Sequence, residues 1–478
     1  MRIVMKFGGT GVDSCQNLIK VSDLVTNYKN DSGYEIVVVV SAVRGVTDSI
    51  LKLTDSINRH EKVSVHDILG KLSKTHLEII EGCIHDTELR DLARDTVIKL
   101  LNELKDVLGG MVILQEVTPK SLDYLLSFGE RLSASMVYFS LRDKGVVTEC
   151  LTGKEAGIMT DSNFGAAKPL MDTTKLRVRR LIEPLLQQNS VPIVTGFIGA
   201  DQNGNVTTLG RGGSDYTATI IAASINADET WLWTDVDGLM TADPRIAADA
   251  EVLSEVSFSE AMEMALFGAK YMHPRALEPV IETGIPVRIR NVMNPSQIGT
   301  MILQSPSDTS KRIVKSVSAI RQTGLIDVGG TAMAGAPGTA AKIFDALAKK
   351  NINIIMISQS PSESSISMVL RNDDIEKAIS ILELSLLGKV IKKVEVNNNV
   401  SVIAVVGSGM RGIQGVAARI FSAVARENVN VIMIAQGSSQ LNLAFVVSDN
   451  DCETAIKALH KEFGLGKHDP NSKRIDSS

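Results

Sequence analysis

Only four cysteines occur in 478 residues, at positions 15, 83, 150 and 452. None forms a Cys-x-x-Cys pair, so zinc-ribbon and dithiol-redox chemistry find no support. Isolated thiols suit a reducing compartment. The seven histidines are equally dispersed, and no His-x-x-x-His face exists to hold a catalytic metal. There is no basic excess either. Fifty Lys and Arg stand against 55 Asp and Glu, a net charge of -5, which lacks the footprint of a nucleic-acid binder. That balance leaves room for a local basic pocket that takes a small anion. No apolar run approaches the ~20 residues of a membrane helix. Lys6 and the glycines after it interrupt the first apolar stretch, so no secretory h-region is read there. A cytoplasmic protein with no metal site of its own is expected.

What is present is ordinary globular composition, 44% hydrophobic and 22% charged. The length exceeds the ~250–300 residues at which a single core stops growing, so two or three domains are expected. Ile3–Phe7 is a short apolar run ending in glycines. A helix comes after it with Leu18, Val21, Leu24 and Val25 on one face. The β-branched run Ile36–Val40 is next and reads as a strand buried on both faces of a parallel sheet. Strand, helix, strand in that order predicts an α/β domain. Residues 58–108 have a long, charged, helical pattern. Further strands are expected at 191–195, 230–233 and 287–289, and a hairpin turn at 201–205. The polar, Pro-containing stretch 304–312 reads as a linker between a domain at 1–303 and the C-terminal third of the chain.

That last third repeats itself. Ala341-Lys342-Ile343-Phe344 returns as Ala418-Arg419-Ile420-Phe421, and Asn353–Gln359 returns as Asn430–Gln436. Both pairs are 77 residues apart (341 to 418, 353 to 430). Each copy, 313–393 and 399–465, reads strand, helix, strand, strand, helix, and two such units bury an interface between them. Residues 466–478 form a polar tail, expected to be disordered.

Four segments carry candidate chemistry. In Lys6-Phe7-Gly8-Gly9-Thr10-Gly11 a strand delivers a lysine to a glycine-rich turn, and a helix is expected from about Asp13. Such a turn either cradles phosphate with backbone N–H groups or is simply tight. Ser41–Thr47 lies after the second strand at the carboxyl end, where ligands of parallel sheets bind. There Thr47 or Asp48 alternatively caps the next helix. Gly210-Arg211-Gly212-Gly213-Ser214-Asp215 is a second glycine turn. Arg211 suits a carboxylate, and Asp215 is either functional or an N-cap. In Thr234-Asp235-Val236-Asp237-Gly238, Asp235 and Asp237 are either magnesium-water partners or a solvated acidic turn. A fifth match, Gly407-x-Gly409-x-x-Gly412, fits a dinucleotide loop, but the next strand ends near Ala435-Gln436-Gly437 without the required acid. The repeat explains those glycines better.

Taken together, these motifs, with Phe128-Gly129-Glu130, Asp243-Pro244-Arg245 and Phe267-Gly268-Ala269-Lys270, resemble the aspartate kinase family in order and across nearly the whole chain. The resemblance implies an amino-acid kinase fold, a three-layer αβα domain with a mostly parallel sheet, followed by paired ACT domains of ferredoxin-like α+β type. It implies transfer of phosphate from ATP to L-aspartate, with Mg²⁺ accompanying the nucleotide. Lys6 would contact the transferring phosphate, and Asp215 would orient Lys6. Arg211 would pair with the α-carboxylate of aspartate, and Glu130 with its ammonium. Ser41, Thr47 and Ser214 would complete that pocket. Gly8, Gly9, Thr10, Thr234, Asp235, Met240, Arg245 and Lys270 would hold the nucleotide. Two residues depart from the family pattern. Gly11 replaces a serine, which would remove a hydroxyl near the phosphates. Met240 replaces a common tyrosine, exchanging ring stacking for thioether packing.

The paired ACT domains imply an amino-acid effector, threonine or lysine, near Gly338, Ala340, Asn353 and Gln359. They also imply a homodimer or a dimer of dimers. The competing reading is a non-catalytic amino-acid sensor on the same fold. A carboxylate nucleophile is already ionised near pH 7, so no general-base histidine is required.

Overall fold

The computed structural model describes residues 1–61, 64–268, 272–307, 312–330, 337–361, 364–388 and 390–466. The chain divides into two compact units. One comprises Met1–Leu239, Ser254–Phe258 and Lys270–Ser307; the other comprises Met240–Leu253, Ser259–Ala269 and Asp308–Ser478. Two stretches that precede residue 303 thus pack with the C-terminal repeat.

The first unit is an α/β domain. Its strands are β1 (Arg2–Phe7), β2 (Glu35–Val40), β3 (Thr148–Leu151), β4 (Val191–Thr195), β5 (Ile198–Ala200), β6 (Val206–Thr208), β7 (Glu229–Thr234), β8 (Glu255–Ser257), β9 (Val287–Asn291) and β10 (Thr300–Leu303). Eight of them make one sheet in the order β3-β4-β2-β1-β7-β9-β10-β8. Every neighbouring pair in it is parallel except β9 with β10. The expected hairpin at 201–205 is present, joining β5 to β6.

Helices cover both faces: α1 (Cys15–Asn30), α2 (Val46–Asn58), α3 (Val65–Cys83), α4 (Thr87–Leu114) and α5 (Pro119–Asp143) on one, α6 (Met171–Gln187) and α7 (Gly213–Ile225) on the other. The pleat of β1 decides what faces where. Ile3, Met5 and Phe7 join the core built with α1 to α5. Alternation then turns Val4 and Lys6 toward the α7 side. α7 is buried along its whole length, consistent with its apolar sequence Thr217–Ile225. Leu18, Val21 and Val25 are buried on α1 as the periodicity predicts, with Leu24 at the margin.

The second unit contains α8 (Phe258–Leu266) from Ser259 onward, then β11 (Ser316–Gly329), α10 (Thr339–Ala348), β12 (Met356–Gln359), β13 (Ser365–Arg371), α11 (Asn372–Leu386), β14 (Lys393–Val406), α12 (Val416–Arg426), β15 (Met433–Ala435), β16 (Asn442–Ser448) and α13 (Cys452–Glu462). The short α9 (Glu278–Ile281) belongs to the first unit. Each copy of the repeat shows the expected strand-helix-strand-strand-helix order.

The long strands β11 and β14 are shared between the copies. They pair antiparallel, with a register shift between Ile320 and Thr323. Near that shift Gln322 adopts φ +58°. Thr323–Gly329 pairs with β13 of the first copy, while Val400–Val406 pairs with β16 of the second. The two copies therefore exchange strands and form one six-stranded sheet, β12-β13-β11-β14-β16-β15. Each keeps its own core, with Ile343 and Leu347 in one and Ile420 and Val424 at the 77-residue equivalents in the other. Among the described residues no helix is long and apolar enough to cross a membrane.

Candidate active site

Parallel register brings the carboxyl ends of four strands together, with Phe7 opposite both Val40 and Trp233, and Val40 opposite Thr195. The loops that leave these ends carry the candidate residues. They border a cleft of about 350 Å³ lined by Gly8, Gly9, Thr10, the 41–45 loop, Thr47, Asp48, Thr234 and Asp235.

The first glycine turn is held by backbone. Gly8 N–H donates to the Trp233 carbonyl at 3.1 Å, and Ser41 N–H donates to the Phe7 carbonyl at 3.1 Å. Gly9 must be glycine because a Cβ there would lie 2.6 Å from the Ala42 carbonyl oxygen. The expected helix start near Asp13 is displaced. Gly9–Gly11 closes a 3-10 turn of its own, and α1 begins at Cys15 with Ser14 Oγ accepting from Asn17 N–H at 3.3 Å.

The reading of Gly11 is also corrected. A Cβ at Gly11 would meet Val21, Phe7 and Val292 side chains at 3.4–3.9 Å. It points into the apolar core, so a side chain there would not line the cleft. Nor do Thr47 or Asp48 cap α2. Its N-cap is Gly45 at φ +82°, which leaves Thr47 and Asp48 in the first turn facing the cleft.

Asp215 is not a cap either. It lies inside the first turn of α7, whose N-cap is Gly212, and its Oδ1 is 2.5 Å from Lys6 Nζ. This ion pair is about one-tenth exposed on each side. Ser214 Oγ donates to Ser41 Oγ at 3.2 Å, which ties the second glycine turn to the 41–47 loop. Arg211 sits exposed between Gly210 and Gly212, both at positive φ.

Glu130 reaches the same place from α5. Its Oε1 accepts from Ala42 N–H at 3.1 Å, while its buried Oε2 has no hydrogen-bond partner among the described residues. Burial pushes this carboxyl up to about 8, although the Ala42 N–H and the Lys6 charge pull it down. Gly129 is what lets α5 come so close, since a Cβ there would lie 2.7 Å from Ala42 Cβ. Ser133, one turn beyond Glu130, donates to the Ser41 carbonyl at 2.7 Å. Sequence reasoning missed Ser133, and it missed Arg44 and Asp48 as cleft residues. The helical spacing from Glu130 would have found the first.

Deeper on α5, the buried Asp123 carboxylate accepts from Gly165 N–H, Thr208 N–H and Thr208 Oγ, anchoring loops behind the second glycine turn. Asp237 is occupied by Asn291 Nδ2 at 2.8 Å, so it behaves as a structural turn residue. Asp235 faces the cleft. No cluster of His, Cys, Asp and Glu suited to a metal ion occurs among the described residues.

Met240 and Arg245 lie in the second unit. There Met240 packs against the core of the second repeat, and its carbonyl accepts from Ser316 Oγ. Arg245 is exposed and paired with Asp243 at 2.5 Å, which holds that carboxyl below its usual range. Lys270 lies outside the described residues. Of the effector candidates, Gly338 (φ +84°) is the N-cap of α10, Ala340 is on that helix, Asn353 precedes β12 and Gln359 ends it. The Gly407–Gly412 loop is packed against backbone. A Cβ at Gly407 would lie 2.5 Å from the Ile313 carbonyl oxygen, and one at Gly409 2.7 Å from that of Arg312.

Residues 1–291 match the model of the amino acid kinase family, and 326–386 and 403–463 each match an ACT domain. Aspartokinase 1, chloroplastic, of Arabidopsis thaliana is 33% identical over 467 residues, covering 96% of this chain and 80% of the relative. The chain belongs to the aspartokinases. A bifunctional aspartokinase/homoserine dehydrogenase of Zea mays is also 33% identical, and the chain spans about half the length of that relative and others like it. The crystal structure of E. coli aspartokinase III in complex with aspartate and ADP superposes with a TM-score of 0.81 at 28% identity, over 97% of this chain and 100% of that one. A second structure of the E. coli protein, in complex with lysine and aspartate, gives 0.79.

Proposed function

We propose that the chain is an aspartate kinase, converting ATP and L-aspartate to ADP and 4-phospho-L-aspartate at the start of the pathway to lysine, threonine and methionine. The observation that carries this reading is the junction of two glycine turns. One presents Lys6 and open backbone amides beside a cleft; the other presents Arg211, Ser214 and Asp215, with Glu130 behind. Two anions must meet in such a reaction, and the chief obstacle is their repulsion. Lys6, the amides of Gly9 and Thr10 and the magnesium that enters with ATP offset it. Asp215 holds the Lys6 ammonium in place. Arg211 receives the α-carboxylate of aspartate and Glu130 its ammonium, while Ser41, Thr47 and Ser214 bound the pocket. Gly8, Gly9, Thr10, Thr234 and Asp235 contact the nucleotide. The E. coli structure with aspartate and ADP supports this pairing of ligands.

The catalytic region is residues 1–303. The repeat, 313–393 and 399–465, binds an end-product amino acid through Gly338, Ala340, Asn353 and Gln359 and joins chains into a dimer or a dimer of dimers. The E. coli structure with lysine supports an amino-acid effector. Four free thiols suit a reducing location such as the cytoplasm. The test is turnover with aspartate, ATP and Mg²⁺, trapped as the hydroxamate, while threonine and lysine are titrated. Aspartate-dependent product with inhibition by one amino acid is expected. No product under any of these conditions, with the amino acids still bound, would establish the sensor instead.

A further inference from the structure

The 41–47 loop carries a cation that the assigned roles leave unused. Among the described residues lining the cleft, only Arg44 is basic. Asp48 and Asp235, which also line it, are acidic. Lys6 approaches from β1, but its ammonium is already held by Asp215 at 2.5 Å, so much of its field is spent locally. Arg44 has no ion pair or hydrogen bond to another side chain among the described residues, and it is exposed. Its backbone, by contrast, is fixed. A Cβ on Gly9 would lie 3.1 Å from Arg44 N and 3.3 Å from its Cα, so the residue abuts the first glycine turn. The loop that bears it is pinned at Ser41, by Phe7 and Ser133, and at Ala42, by Glu130. It ends at Gly45, the αL cap of α2.

A rigid backbone with a long guanidinium, unpartnered among the described residues, at the mouth of the cleft is an arrangement for catching an anion that arrives with the ligand. We propose that Arg44 contacts the phosphate chain of the bound nucleoside triphosphate and shields the transferring phosphoryl from the incoming carboxylate. This rests on the phosphotransfer reading above. The planar fork of arginine matches two phosphate oxygens at once, which a lysine does not reproduce. Spread of charge over the equatorial oxygens in a loose transition state is where such a group acts most strongly. No bond to Arg44 forms or breaks. Its role is electrostatic: the γ-phosphoryl passes directly from ATP to the aspartate side-chain carboxylate oxygen, the bond between the γ-phosphorus and the β–γ bridging oxygen breaks, and ADP leaves with that electron pair.

The test compares the full-length parent with Arg44→Gln and Arg44→Lys. Thermal melts check folding, which an exposed loop side chain should leave unchanged. The expected result for Arg44→Gln is a loss of about tenfold or more in kcat/KM for ATP, with KM for aspartate within twofold of the parent. Arg44→Lys should recover only part of the loss. Calorimetric titration with Mg·ATP in the absence of aspartate should show weaker binding by Arg44→Gln. If the parent binds Mg·ATP and turns over, and Arg44→Gln matches it in both, the role assigned to Arg44 is wrong while the kinase reading stands. If the parent neither binds Mg·ATP nor turns over, the kinase reading fails, and this inference with it.

Discussion

Each unit contains a lysine paired with a carboxylate, and the two pairs differ in kind. Lys6 and Asp215 sit 2.5 Å apart beside a cleft, each about one-tenth exposed. Lys315 and Glu260 sit 3.2 Å apart with exposures of 3% and 0%. The second pair is sealed. Glu260 also accepts from Ser408 N–H at 2.8 Å, and Lys315 N–H donates to the Val406 carbonyl, so the charges join α8 to β11 and to the turn after β14. A sealed pair offsets its own desolvation and has little capacity left for a ligand. A pair at a cleft edge keeps one side open, so its ammonium can turn toward an incoming anion. A lysine paired with a carboxylate therefore serves as a sealed joint in one unit and stands beside a cleft in the other.

The sharpest way to break this comparison is Lys6→Ala. Turnover should fall by roughly 10²–10³-fold or more, as for loss of a charged donor at a transition state, while the thermal midpoint moves little. Turnover equal to the parent would remove Lys6 from the chemistry. Lys315→Met should do the reverse. Removing one partner of a buried pair costs about 3–5 kcal/mol, which lowers the melting midpoint by roughly 10 °C. Adding Glu260→Leu should restore most of that loss, because the stranded charge goes with it. A midpoint as low as in the single variant would show that Glu260 holds the Ser408 turn by more than its charge.

A subtler difference is expected in pH response. Burial raises Glu130 from the ordinary glutamate range to about 8, so the folded protein holds a proton there that the unfolded chain has released. Stability from this site is therefore present in acid and declines as pH rises from that range toward the folded-state value. An ammonium docked against Glu130 favours the ionised form. Binding of aspartate should then expel a proton near pH 7, and KM for aspartate should fall as pH rises from about 6 to about 8. Glu130→Gln should flatten that slope, and proton release in weakly buffered solution measures the same linkage directly. A flat KM profile in the parent would place the ammonium elsewhere.

Much of this was legible from residue order. Strand β1, the buried run at 36–40, the hairpin turn and the 77-residue repeat each follow from local pattern, because burial and turn chemistry act on neighbours in sequence. The site residues that were legible sit in motifs with glycine, where a short stretch has few structural alternatives. What misled was local as well. Gly11, Thr47 and Asp48 were read from their neighbours in the chain, yet Gly11 is governed by Val21 and Val292 and the α2 cap by the αL backbone of Gly45. The Gly407–Gly412 loop matches a nucleotide motif letter for letter, but its glycines answer to the carbonyls of Ile313 and Arg312.

By itself, the sequence determined the class of its most strongly patterned elements, the existence of two copies of a βαββα unit, and the set of charged residues available for phosphate chemistry. Periodicity and glycine placement are one-dimensional properties, and the chain carries them in full. Only the tertiary structure decided that the copies trade strands through β11 and β14, and that residues 240–253 pack with the second repeat. It also brought Lys6 and Asp215, a pairing the family resemblance implies, together from more than two hundred residues apart. Those outcomes depend on pairing register and on which face a strand buries, and both are set by partners distant in the chain.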